Sequence, residues 1–278
     1  MSETAIKQDR AVKLPVPAWK IGVARGTLEI KAFFRERGQV VFTFALPVIM
    51  LILLASIFKE RIGDTGVDAQ QIYVTGMLGV GIMSTSFQSM VLQVAGERAN
   101  GTLKRLRGTP MPRSAYFVGK IAVVLVSSIG QAVVLLAVGA LFFGLHLPTD
   151  VAHWLTFVWV YVLGIVGCTL LGLAYSSFVP VASAGAMVFL PVITLQFISG
   201  VFIPFNQLPQ VLQQIAAVFP MKWICQGMRS VFLPDAFQAY EPGGAWAHGQ
   251  VALVLAGYGV VGLLLCLKTF RWKGRNDG

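Results

Sequence analysis

Three histidines, His146, His153 and His248, and three cysteines, Cys168, Cys225 and Cys266, are the residues of this 278-residue chain best suited to nucleophilic or metal chemistry. Hydrolysis needs a nucleophile beside a base. Ser176-Ser177 offers hydroxyls, but no histidine lies in an apolar stretch to serve them, so the catalytic constellation is missing. His146 and His153 are separated by Pro148 and Asp150 at a spacing typical of no metal-ligand pair. The cysteines are odd in number and hold no CxxC pair, which argues against a disulfide framework and against zinc. The phosphate-binding pattern GxxxxGK[ST] occurs nowhere. Gly119-Lys120 is followed by Ile121, and Ser114 stands where the first glycine should be. If this chain moves something uphill, the energy comes from another chain. We therefore expect no catalytic residue, no bound cofactor and no metal in this chain.

The elements that carry these residues are apolar to an unusual degree. The sequence is 56% hydrophobic and 12% charged, with 22 Lys and Arg against 12 Asp and Glu, a net charge of +10. A soluble domain averages about 25% charged residues, and a disordered chain needs low hydrophobicity, so neither class fits. A helix crosses the hydrocarbon core with about 20 apolar residues. Six stretches meet that need: Val40–Phe58, Ile72–Ala95, Ile121–Gly144, Trp154–Val179, Val181–Ile203 and Gln250–Leu267. None contains Asp, Glu, Lys, Arg or His. The composition predicts an all-α membrane protein of six transmembrane helices. The first follows a 39-residue charged leader, too long for a signal-peptide n-region, so an uncleaved anchor is expected.

The charges then fall into place. Of the 22 Lys and Arg, 18 lie in residues 1–39, in the 96–120 connection and after span six. The positive-inside rule makes that side the cytoplasm and puts both termini there. The basic excess is an orientation signal, and no nucleic-acid partner is needed to explain it. Asn100-Gly101-Thr102 matches a glycosylation acceptor, but on this topology it faces the cytoplasm. The uncharged spans lack the buried ionisable groups that proton-driven transporters use.

Two cytoplasmic segments carry more than topology. In Trp19–Gly38, Trp19, Val23, Ile30, Phe33 and Phe34 lie along one helical stripe, with Leu28, Gly22 and Gly26 blurring it. A basic amphipathic helix next to a span is expected in the membrane interface. In Glu97–Pro112, Leu103 and Leu106 form a small apolar face among Lys104, Arg105 and Arg107, and Gly101, Pro110 and Pro112 punctuate a short helix. On the far side, residues 204–248 hold Leu212, Ile215, Val218, Phe219, Trp223 and Ile224. They are too apolar to sit free in water, and short helices dipping into the outer leaflet are expected.

The run Glu97-Arg98-x-x-Gly101-Thr102-Leu103-x-Arg105-Leu106-x-x-Thr109-Pro110 resembles the first cytoplasmic loop of ABC-2 type permeases, with Ala99 where that family often has a second Glu. Ser199-Gly200-Val201-Phe202-Ile203-Pro204, then Leu208-Pro209 and Pro220 to Arg229, is similar to the family's end of span five and the segment after it, with Phe219-Pro220 where Asn-Pro is common. The resemblance implies two regions: a cytoplasmic leader of residues 1–39 with its interface helix, and a six-span domain of residues 40–278. Within the latter it implies a coupling loop at 96–116, where Glu97, Arg98, Gly101, Thr102, Leu103, Arg105 and Leu106 seat on an ATP-binding subunit. It also implies re-entrant helices at 204–248 between spans five and six. Two permease chains would pair with two ATP-binding chains, and ATP and Mg would be held by those partners.

Span two carries Ser86, Ser89 and Gln93 on one face, and span five carries Thr194 and Gln196 with Phe197 and, near its end, Phe202. Small polar residues are routine in helix packing within lipid. They also suit a weakly polar, aromatic-lined path between two copies of the chain, and both readings stand. The expected function is the membrane subunit of an ATP-driven exporter in a bacterial cell membrane. Its cargo would be a drug, antibiotic or lipid-like amphiphile, as for daunorubicin-type exporters. A polysaccharide or lipo-oligosaccharide exporter is the alternative within that class. An ion-coupled secondary transporter or channel, and an intramembrane enzyme, are the alternatives outside it.

Overall fold

The computed structural model describes residues 17–269 except Asp64 and Pro110. Residues 1–16 of the leader, the loop-stopping Pro110 and the tail with Arg271, Lys273 and Arg275 lie outside the described residues. Eleven α-helices follow one another in what is described: α1 Ala18–Arg35, α2 Arg37–Ile57, α3 Ala69–Met83, α4 Ser89–Ala99, α5 Thr102–Arg107, α6 Arg113–Phe142, α7 Val151–Ser176, α8 Ala184–Ile198, α9 Gln210–Ala217, α10 Pro220–Phe232 and α11 His248–Thr269. Among the described residues extended pairing is limited to one isolated bridge, Arg61 to Asp68.

Among the described residues six helices are long and apolar enough to cross a membrane. They are α2, the continuous α3–α4 helix Ala69–Ala99, α6, α7, Val181–Ile198 containing α8, and α11. Spans four and five end earlier than the apolar stretches predict, at Ser176 and Ile198, because Pro180 and the Gly200 turn break them. The α3–α4 helix is the centre: 72% of its apolar window is buried, against 17% for α2. It packs against α2, α6, α7 and α10.

That central helix is not uniform. Ser84–Gln88 between α3 and α4 forms a π-helical turn. A π-turn widens the helix and loosens its carbonyls, and in lipid those carbonyls need partners. Local hydroxyls supply them. Thr85 Oγ1 donates to Gly81 O at 2.7 Å, Ser89 Oγ to Ser84 O at 2.9 Å, and Ser86 Oγ to Ile82 O. The widened turn presses on α7, where Gly172 makes room: a Cβ there would sit 2.8 Å from Phe87 O.

The connections alternate between two ends. At one end, Gln71 donates to Gly144 O at 3.1 Å and Trp154 meets Phe232 edge-on at 6.3 Å. These contacts gather the α2–α3, α6–α7 and α8–α11 connections. At the other, called here the basic end, α1 lies along α6 and the end of α4 meets the α7–α8 turn. The two glycines that blur the stripe of α1 explain its seat. A Cβ at Gly26 would lie 2.9 Å from Ala122 Cβ, and one at Gly22 would lie 3.0 Å from Val118 Cγ1. The bare backbone lets α1 approach α6 closely, while Trp19, Val23, Leu28 and Phe34 stay exposed.

The segment between spans five and six contains α9 and α10. Helix α10 sets its apolar face against α3 and α7. Its polar stripe Lys222, Gln226 and Arg229 is buried beneath the chain that follows. Gln226 Nε2 donates to Trp246 O at 3.0 Å, Arg229 pairs with Glu241, and Arg229 Nη1 donates to Gly200 O at 2.9 Å. Trp246 Nε1 and Gln238 Nε2 both donate to Asp235 Oδ1, at 2.9 and 2.7 Å, and hold its carboxyl below its ordinary range.

Candidate functional site

A polar stripe on α4 leads from the middle of the bundle to the basic end. Ser89, Gln93 and Glu97 recur every fourth residue and so share one helix face. At its end stands a cluster of charges. Lys120 of α6, 1% exposed, donates to Glu97 Oε1 at 2.6 Å, to Glu29 Oε2 at 3.1 Å and to Gln93 Oε1 at 3.3 Å. Its three N–H groups therefore each find an acceptor. Tyr116 donates to Glu97 Oε2 at 2.7 Å, and Arg25 of α1 pairs with Glu29 and lies 3.8 Å from Glu97. Two basic and two acidic side chains balance, which burial in a low dielectric demands. The cluster ties α1, α4 and α6 together where the α4–α6 connection begins.

The residues of that connection divide into two groups. Glu97 turns inward to the cluster, and Leu103 is buried in the core. Arg98 Nη1 donates to Ser176 O at the end of α7, at 2.5 Å. Gly101 takes φ +67°, the left-handed turn between α4 and α5. Thr102 and Leu106 are half-buried. Arg105 is exposed and donates to Asn100 O at 3.2 Å. Of the residues expected to meet a partner, Arg105 therefore stands outward, beside Lys104, Gly108 and Thr109, while Glu97 and Leu103 hold the loop from within.

Above the cluster lies a cavity of about 670 Å³ between α1, α2, α4, α6 and α8. Its polar wall includes Glu36, Gln39, Gln88, Ser89, Gln93 and Gln196, and its apolar wall includes Phe42, Leu46, Met50, Phe189, Val192 and Ile193. Of the residues expected on a path, Ser89, Gln93 and Gln196 line this cavity, and Ser86, Thr194, Phe197 and Phe202 lie away from it. Ser86 is buried in the π-turn, Thr194 donates to Leu190 O at 2.9 Å, and the Phe197 and Phe202 rings pack together at 5.0 Å. The cavity residues that spacing missed, Glu36, Gln39 and Phe42, come from α2 and the break that precedes it. Their signal was a run of polar residues leading into the first span.

The other candidate chemistry is dispersed. Ser176 Oγ is buried and donates to Leu173 O at 2.7 Å. His153 Nδ1 lies 3.3 Å from Asp150 Oδ2, and His248 Nε2 lies 3.0 Å from Ser230 Oγ. Cys168, Cys225 and Cys266 are buried and free. Among the described residues no group of three His, Cys, Asp or Glu could hold a metal ion.

Comparison with known proteins decides the family. The family model for the ABC-2 type transporter matches residues 26–233, from α1 through α10. This chain belongs to the ABC-2 type transporter family. It is similar to the "Probable multidrug ABC transporter permease YbhR" of Escherichia coli strain K12, at 30% identity over 146 residues. The protein of the same name in Escherichia coli O157:H7 matches to the same degree. The matched stretch covers 52% of this chain and 39% of each relative, so the chain spans less than half the length of those proteins. As an ABC-2 permease, the chain is a multi-pass membrane subunit of an ABC transporter, in a family that works with an ATP-binding subunit.

Proposed function

We propose that this ABC-2 permease is the membrane half of a bacterial exporter, moving amphiphilic molecules through the cavity between α1, α2, α4, α6 and α8. The observation that carries the reading is the continuity of that cavity with the charge cluster at the basic end. Gln93 borders the cavity and accepts a hydrogen bond from Lys120, which is bound in turn to Glu97 at the start of the α4–α6 connection. A wall of amides and aromatic rings suits a largely apolar molecule with a few polar groups. Glu36 is the exposed acid on that wall, so a cationic amphiphile is better matched than an anionic one. The multidrug designation of the two relatives supports the same class.

In this reading the basic end faces the cytoplasm, and α5 with its exposed basic side chains seats on an ATP-binding subunit, which holds the nucleotide and Mg. Two permease chains pair, with the cavity opening between α2 and α8. α1 lies at the membrane interface, and α9 and α10 dip into the outer leaflet as re-entrant helices. ATP-driven closure of the partner pair moves the connection and the α4 stripe with it. A glycolipid or polysaccharide cargo is a second reading, favoured by the four glutamines of the wall.

The test is transport by the reconstituted complex in liposomes, with daunorubicin and a short-chain fluorescent glycolipid as probes. ATP-dependent accumulation of daunorubicin is expected. The combined change Ser89→Ala, Gln93→Ala and Gln196→Ala should reduce it at least about tenfold. Unchanged transport in that variant would refute the cavity as the path, and accumulation of the glycolipid alone would select the second reading.

A further inference from the structure

Helix α1 carries five charged side chains, and the fold sorts them by partner. Arg25 and Glu29 turn inward, pair with each other and join Lys120 and Glu97 in the buried cluster. Lys20, Lys31 and Arg35 are exposed, and among the described residues none of the three makes an ion pair. The same helix leaves Trp19 64%, Val23 58% and Phe34 48% exposed. Gly22 and Gly26 mark the face that touches α6. Trp19, Val23 and Phe34 share an arc of about 60° beside that face. Lys20, Lys31 and Arg35 share another arc of about 60°, roughly opposite the two glycines. The basic arc therefore points away from the bundle, with exposed Leu28 at its far edge.

Depth decides what such a flank meets. A Cβ at Gly22 would touch Val118 and one at Gly26 would touch Ala122, so this part of α1 stands level with residues 118–122 of α6. The uncharged stretch of span three begins at Ile121. Helix α1 thus lies where the hydrocarbon gives way to headgroups. Exposed Val118 and Ile121 continue the apolar surface at that level. A flank turned away from protein at this depth faces lipid, with its apolar side chains among the acyl chains and its cations at the phosphates. Lys20 Nζ lies 5.6 Å from the centroid of the Trp19 ring, and aromatic residues of this kind gather at membrane interfaces. Three cations that no carboxylate of the chain neutralises are complementary to an anionic lipid surface.

We propose that the outer flank of α1 is a binding site for anionic phospholipids of the cytoplasmic leaflet, with Lys20, Lys31 and Arg35 holding their phosphate groups. The inference rests on the interfacial seat of α1 and the cytoplasmic placement of the basic end proposed above. The charge of the membrane then bears on the cavity, because α1 holds Glu29 of the cluster on its inner face and leads through Glu36, on the cavity wall, into α2.

The experiment is native mass spectrometry of the full complex with equal amounts of phosphatidylglycerol and phosphatidylcholine. The wild type should retain phosphatidylglycerol at least about tenfold better, since each basic residue at a charged membrane surface strengthens binding roughly fivefold. The combined change Lys20→Gln, Lys31→Gln and Arg35→Gln should remove most of that preference and leave the melting temperature unchanged, because the three side chains make no ion pair inside the fold. Equal retention of the two lipids by the wild type, or an unchanged preference in the variant, overturns the proposal. A second measurement tests the reading beneath it. A spin label at Val23→Cys, in a background with the three native cysteines replaced by Ala, should be reached more readily by oxygen than by a water-soluble nickel chelate. A lipid-exposed label without any anionic preference overturns this proposal alone, and a water-exposed label overturns the interfacial seat of α1 as well.

Discussion

Lys120 shows how one residue can be counted correctly and still be misplaced. Its charge fits the orientation rule, but its place inside the bundle depends on Glu97, 23 residues earlier, and Glu29, 91 residues earlier. No local pattern announces a pairing over such distances, and for the same reason Glu97 reads from the sequence as a surface residue. Removing one partner of a buried ion pair leaves the other uncompensated. Lys120→Ala is therefore expected to destabilise the permease by about 3–5 kcal/mol, seen as a lower melting temperature in detergent. Lys120→Met combined with Glu97→Gln should recover much of that loss, and a double variant no more stable than Lys120→Ala would refute the pairing. Asp235 offers a test by pH. Its folded pKa is depressed, so its contribution is complete above the unfolded value of 3.8 and is lost as pH falls through the lower folded value. The emission of Trp246, whose indole donates to Asp235, should shift across that acid window, and Asp235→Asn should abolish the shift.

At the scale of elements, the helices were the legible part. Charge-free stretches predicted six spans, and six long apolar helices are present. What the stretches could not tell was where a helix changes character inside itself. The Ser-Thr-Ser-Phe-Gln-Ser run was visible as polarity in span two, and its hydroxyls prove to cap the carbonyls of a π-turn. Gly22 and Gly26 weakened the amphipathic reading of α1, because periodicity weighs a glycine only as a missing side chain. Their spacing of four places both on the face that touches α6. Gly26→Leu should force α1 off α6 at a cost of about 1–3 kcal/mol. It should also expose Lys120 and Glu29 to solvent, measured as faster hydrogen exchange in α1 and the first turns of α6. Protection equal to the wild type would mean that α1 has another seat.

For the whole molecule, burial grades the spans. The α3–α4 helix is enclosed, whereas α2, α8 and α11 leave most of their surface uncovered. The cavity wall is exposed at Phe42 and Leu46 of α2 and at Phe189 and Ile193 of α8, so the proposed second copy would cover it there. In a background with Cys168, Cys225 and Cys266 replaced by Ala, Ile193→Cys is expected to form a disulfide-linked permease dimer under mild oxidant, and Leu253→Cys on the exposed side of α11 is not. Equal cross-linking from both positions would point to random collision. The overall plan was legible because charge and apolarity are summed along the chain. The cavity was only half legible, since it is assembled from five helices whose order in sequence gives no hint of their neighbours. The clasp of Arg229 has a consequence for biosynthesis. Its carbonyl partner, Gly200, is synthesised before it, but its counter-charge, Glu241, only afterwards. Helix α10 thus leaves the ribosome carrying a cation that it cannot yet bury, and its final seating must wait for the next dozen residues of translation. Released chains truncated before Glu241 should leave α10 open to protease, and chains extended past α11 should protect it.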